Sequence, residues 1–262
     1  WFFGGSTMWG FGAPDSGTIP SIYNLKTNDQ VINFAENGWN SRQSLNMLLS
    51  IIGDGNKPKT IIFYDGVNDI WTQCRSEIKN IPSHSRENII AKALNQKSII
   101  KLSSIKEFIV EPYLIIGNRL FPKASFVYSK SFNCHENNNK AENIAKHLVN
   151  NWYTSYLIAK SNESKFFAVL QPNLFTSMSN NDYFIEHEKA IHPLLKKQFD
   201  AVYPLILREV ERKCKNTKSF CSSFIDGRYW LKNKPSYYID FCHLVEDGNR
   251  IIVSNLIREI NN

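Results

Sequence analysis

Short apolar runs alternate along this chain with longer stretches in which apolar residues return every three or four positions. That rhythm is the pattern of a parallel sheet covered by helices. Residues 1–4, 31–35, 60–65, 165–171 and 219–225 read as strands, each short, rich in Ile, Val or Phe, and closed by Gly, Asn, Asp or Pro. Between them, 41–52 reads as a helix with a good N-cap and Leu45, Leu48, Leu49 and Ile52 on one face. Residues 141–160 form a long amphipathic pattern through Ile144, Leu148, Trp152 and Leu157, and 246–261 ends the chain with Ile251, Ile252, Leu256 and Ile260 facing inward. Residues 185–214 read as a helix interrupted near 191–193, where His192 precedes Pro193. The stretch 71–139 breaks the rhythm. It has some helical character at 86–94 but is otherwise polar and irregular, and is expected to be an insertion beside the functional site within one domain spanning 1–262.

Composition narrows the classes. Hydrophobic residues are 42% and charged residues 21% of 262, which suits a globular core and not a disordered chain. No stretch approaches the roughly 18 apolar residues of a membrane span. The net charge of +7 comes from scattered Lys and Arg, without zinc-ligand spacing, an Arg-rich helix or an RNA-binding aromatic signature, so nucleic acid is disfavoured as a partner. Five cysteines are too few for a disulfide scaffold, but Cys74 with Cys134, and Cys214 with Cys221, are candidate pairs that leave Cys242 over. The chain begins at Trp1, inside what reads as a buried strand, which suggests an upstream signal peptide or anchor and a cell-envelope, periplasmic or secreted location.

Three segments carry chemistry. Phe3-Gly4-Gly5-Ser6 runs an apolar strand into two glycines and a serine, an arrangement that can hold a nucleophile at a strand's carboxyl end. Gly66-Val67-Asn68-Asp69 follows the 60–65 strand directly, where an Asn amide can donate to a developing oxyanion. Asp240-Phe241-Cys242-His243 precedes the last helix and offers a base with a carboxylate three residues away. Each segment by itself is as well explained by a turn, a helix cap or a packed histidine.

Together, in this order and with Asn33-Phe34-Ala35-Glu36-Asn37-Gly38 as a further block, they resemble the SGNH/GDSL hydrolase superfamily. Gln171-Pro172-Asn173 also fits, and Gly5 departs from the pattern because Asp usually precedes the nucleophile. The resemblance implies a three-layer α/β/α sandwich on a mainly parallel, roughly five-stranded, flavodoxin-like sheet. It further implies Ser6 as nucleophile, His243 as base, Asp240 as its orienter, and an oxyanion hole from the backbone N–H groups of Ser6 and Gly38 with the Asn68 side chain. No metal or organic cofactor is called for. The expected substrate is an O-acetyl or short-acyl ester, first of all on a carbohydrate. A lipid or thioester acyl group, acyl transfer to a second alcohol, and a non-catalytic glycan-binding or assembly module are the alternatives. Trp39, Trp71 and Arg75 lie close enough in sequence to these segments to touch a substrate, with core packing the competing role for the two tryptophans. His187 and His192 lack metal-ligand partners in the sequence.

Overall fold

A computed structural model describes residues 1–79, 131–177, 193–234 and 237–261. Four parallel strands, β1 (Phe2–Gly4), β2 (Thr60–Asp65), β3 (Lys165–Leu170) and β4 (Phe224–Asp226), lie in the order β1-β2-β3-β4. The parallel arrangement requires covering on both faces, and strand alternation supplies it. Phe3, Ile61, Phe63, Phe166, Ala168 and Leu170 point to one face, against α3 (Ser41–Gly53), α4 (Val67–Gln73), α5 (Asn138–Ser161) and α6 (Leu195–Asn216). Phe2, Ile62, Tyr64, Phe167, Val169 and Ile225 point to the other, against α2 (Ile19–Thr27) and α8 (Glu246–Asn261). The result is a three-layer α/β/α sandwich. Among the described residues no helix is long and apolar enough to cross a membrane.

The expected fifth strand is reduced to a strand-like edge. Phe2 N–H donates to Ile32 O at 2.9 Å, Phe34 N–H to Phe2 O at 2.8 Å, and Glu36 N–H to Gly4 O at 3.2 Å, yet only Phe2 and Asn33 form a bridge. The three-residue β1 offers few partners. In addition, the Asn33 side chain bonds Met8 O and the Ala35 N–H, competing with regular pairing.

Other expectations are corrected. The 219–225 segment opens as a helical turn, α7 (Lys218–Cys221), pinned by buried Phe220, and becomes a strand only at Phe224. The α2 helix is an element that the apolar pattern did not give; Thr18 caps it by accepting from Ser21 N–H, and Pro20 sits in its first turn, where a missing N–H costs nothing. Leu49 and Leu157, placed on inward faces from spacing, are 48% and 45% exposed. The expected break at 191–193 and the helical character at 86–94 lie outside the described residues, apart from Pro193. In α6 the interior proline is Pro204, on the exposed side, where water can take the carbonyl that its missing N–H leaves open.

Cys74, which ends α4, is bonded to Cys134, and Cys214 is bonded to Cys221; Cys242 is free and buried. The first bridge closes a loop of sequence separation 60, the second one of 7. Loop-closure entropy grows with loop length. Replacing both Cys74 and Cys134 by Ala is therefore expected to cost about 2–5 kcal/mol in urea unfolding, and more than the same change at Cys214 and Cys221.

Candidate active site

The site lies at the carboxyl ends of the strands. Strand β1 ends in Gly4-Gly5, and the chain turns at once into the one-turn helix α1 (Ser6–Trp9), so Ser6 stands at the strand-to-helix corner. Gly4 is required by close packing: a Cβ there would lie 2.6 Å from Tyr64 O. Asp240 and His243 sit at the tip of a small antiparallel hairpin. Tyr238 bridges Leu244, Ile239 N–H donates to His243 O at 3.0 Å, and Val245 N–H to Tyr237 O at 2.9 Å. Leu174 N–H donates to Phe241 O at 2.9 Å and docks this tip onto the segment after β3.

The three side chains form a continuous relay. Ser6 Oγ lies 2.6 Å from His243 Nε2, and His243 Nδ1 lies 2.5 Å from Asp240 Oδ2. The other Asp240 oxygen accepts from the backbone N–H groups of Cys242 and His243, each at 2.8 Å. Burial pushes the Asp240 carboxyl up, but the bond to His243, its charge and these backbone donors outweigh that and hold it below the ordinary carboxylate range. An ionised Asp240 keeps a proton on Nδ1 and leaves Nε2 as the acceptor facing Ser6. Phe11, 48% exposed, packs its ring 4.6 Å from the imidazole; nothing in the sequence pointed to it.

Asn68 and the Gly38-Trp39 turn meet beside Ser6. The Asn68 amide donates to Trp39 O at 2.8 Å, and Gly38 takes a left-handed φ of 77°. A Cβ on Gly5 would lie 2.1 Å from Asn68 Nδ2 and 3.0 Å from Trp39 O. The departure at Gly5 thus has a local cause: the space an aspartate would need is filled by the Asn68 amide and the Trp39 carbonyl. Trp39 enters the site through its backbone. Trp71 stacks on Phe241 at 5.1 Å and packs on Phe132 at 5.3 Å, and the Arg75 guanidinium lies over Trp71 at 5.5 Å, so both are built into the packing behind the hairpin tip.

A second layer of polar groups sets this turn. Asp69, 1% exposed, accepts from Ser41 N–H at 3.2 Å and from Ser41 Oγ at 2.6 Å, and Asn151 donates to Ser41 Oγ at 2.8 Å. Trp152 Nε1 donates to the buried Asp65 carboxyl at 3.1 Å. Burial raises both acids: Asp69 to about 6, against the pull of the Ser41 bonds, and Asp65 well above its usual range, with the Asp69 charge adding. Asp69 was visible in the sequence only as part of the Gly-x-Asn-Asp turn. For a metal, the ligand atoms of Asp240, Cys242 and His243 lie within 4.8 Å of one another. The carboxylate and imidazole are already bonded to each other, however, and burial pushes the Cys242 thiol well up, away from the thiolate a metal would need. His187 and His192 lie outside the described residues.

No family model and no curated protein matches the sequence. Among solved structures, a GDSL-like lipase from Bacteroides thetaiotaomicron is similar at a TM-score of 0.50 and 14% identity, over 99% of this chain and 86% of that one. A catalytic mutant of an acetylxylan esterase from Geobacillus stearothermophilus gives a TM-score of 0.46 and 13% identity, over 99% and 92%. The first likeness places the chain in the SGNH/GDSL hydrolase fold.

Two outcomes follow from the packing around the turn. Gly5→Ala is expected to lose about 1–3 kcal/mol of stability by overpacking, and Asn68→Ala in the same chain to restore most of it, read from thermal melts of the single and double variants. Asp69 holds its proton to higher pH when folded than when unfolded, so its contribution to stability falls as pH rises from about 4 to about 6 and is flat beyond, up to about 3 kcal/mol in all. Asp69→Asn keeps an acceptor for Ser41 but has no proton to lose. Urea titrations across that window should give a wild-type-minus-variant stability that declines; a difference that rises or stays level refutes the assignment.

Proposed function

We propose that this chain, built on the SGNH/GDSL hydrolase fold, is a serine esterase that cleaves a short acyl ester, foremost an O-acetyl group on a carbohydrate, through an acyl-enzyme on Ser6. The observation that carries the reading is the relay from Ser6 Oγ through His243 to Asp240, with bonds of 2.6 and 2.5 Å. A serine hydroxyl is a weak nucleophile until a base takes its proton, and the base works only when its tautomer is fixed. Both conditions are met by side chains from the two ends of the sequence.

In this mechanism His243 Nε2 takes the Ser6 proton as Oγ bonds to the acyl carbon. The carbonyl oxygen becomes an oxyanion, received by the backbone N–H groups of Ser6 and Gly38 and the Asn68 amide. The imidazolium, steadied by Asp240, then returns the proton to the departing alcohol. Water repeats the cycle in reverse, giving its proton to His243, adding to the acyl carbon and releasing the acid and free Ser6. A second alcohol in place of water would make the same steps a transfer. Exposed Phe11, against the imidazole, supplies apolar surface beside the nucleophile. Two disulfides favour an oxidising compartment, in keeping with a cell-envelope, periplasmic or secreted enzyme.

A fluorophosphonate probe should label wild-type protein at Ser6 and leave folded Ser6→Ala unlabelled. Asn68→Ala should lower kcat on p-nitrophenyl acetate by about a hundredfold to a thousandfold. Rates that climb from acetyl to octanoyl esters would replace the short-acyl reading by a lipid one. Folded wild-type protein that takes no label would overturn the enzyme in favour of a binding module.

A further inference from the structure

At the C-terminal end of α4 lies a cleft of about 700 Å³, within the range of small-ligand sites. Half of its described lining is amides, Gln73 and five asparagines. Asn133 and Asn137 come from the segment before α5, and Asn139, Asn143 and Asn150 come from one face of α5 itself, at positions separated by about one or two turns. Two buried groups open on it without a partner. Gln73, the last residue of α4, is 1% exposed, and neither its amide oxygen nor its amide nitrogen is hydrogen-bonded; His147 Nε2 is also buried and unbonded. Such groups cost about 1–3 kcal/mol each when left unsatisfied, so their retention at a cleft floor asks for a ligand.

We propose that this cleft binds a neutral saccharide chain and is the carbohydrate-holding subsite of the esterase. The inference rests on the carbohydrate-ester reading for the bond that is cut, though not for the binding itself. Side-chain amides donate and accept at once, as sugar hydroxyls do. Of the three lysines that line the cleft, Lys79, Lys140 and Lys146, two are committed. Lys140 Nζ donates to Arg75 O, Ile78 O and Asn133 Oδ1, at 2.7, 2.7 and 2.9 Å, and Lys146 pairs with Glu142 at 3.7 Å. Burial and nearby Arg42 lower the His147 pKa, favouring the neutral ring. A polyol finds amides there, and Lys79 is the cation a polyanion would compete for. The position also fits. Gln73 is five residues from Asn68 on one helix, about 8 Å along the axis, and Trp71 between them packs against the hairpin that carries Asp240 and His243.

The test uses the Ser6→Ala protein, full-length and unable to turn over, titrated calorimetrically with unacetylated xylohexaose, cellohexaose and chitohexaose, with oligogalacturonate as the anionic control. One of the neutral hexasaccharides should bind at millimolar concentration or better and shift the His147 imidazole resonance. Adding Asn143→Ala and Asn150→Ala, both exposed in α5, should weaken it by about tenfold or more. Absence of binding by all three neutral chains, binding by oligogalacturonate alone, or binding indifferent to the two alanines would overturn the proposal. Turnover of p-nitrophenyl acetate by wild type reports separately on the esterase. A protein that binds the hexasaccharide and lacks turnover keeps the subsite and loses the enzyme; the converse keeps the enzyme and loses the subsite.

Discussion

The bond between Asp69 and Ser41 is the constraint from which the site's geometry follows. A buried carboxylate at the first turn of α4 grips the first residue of α3 through both its N–H and its hydroxyl. One residue before Asp69 stands Asn68; two residues before Ser41 stands Trp39, whose carbonyl receives the Asn68 amide. Two helices that start from neighbouring segments of the chain's strand-end edge are thereby held in one register, and the Gly38-Trp39 turn meets Asn68 beside Ser6. Asn151 joins α5 to the same bond, so three helices of one layer meet at one point. A buried acid is an expensive way to hold three helices, and it is tolerable because nearly all its acceptor capacity is used.

Legibility in the sequence tracked how local the determining physics is. Strand β2 could be delimited to the residue, because Thr60 to Asp65 is an unbroken run buried on both faces and bounded by Pro58 and Gly66. The α2 helix was not read because its stabilisation is tertiary: Ile19, Ile22 and Tyr23 are buried against α8 and the sheet, and the nine-residue segment is too short for a strong periodic signal of its own. The missing fifth strand is a similar case, since Asn33 carries the right flanking apolar residues but spends its side chain on Met8 O and the Ala35 N–H.

The site was legible as a set of residues and not as an arrangement. Ser6, Asn68, Asp240 and His243 were each weak signals, drawn together by their order along the chain. That Asp240 and His243 ride a hairpin tip, that Phe11 covers the imidazole, and that Asn68 fills the space above Gly5 depend on contacts between segments up to 237 residues apart. The core explains why so little sequence likeness accompanies the shared fold. Most positions on the two sheet faces need only be apolar and of suitable volume.

The Cys74–Cys134 bridge has a topological effect. Its Cα atoms stand 5.1 Å apart, so the long run of chain between them leaves α4 and returns toward α5 through one neck. The chain between the two sulfurs is a covalent ring. A protease that cuts the ring once leaves a molecule still in one piece. It would run as a single band until a reductant reaches the buried sulfurs, and as two bands afterwards.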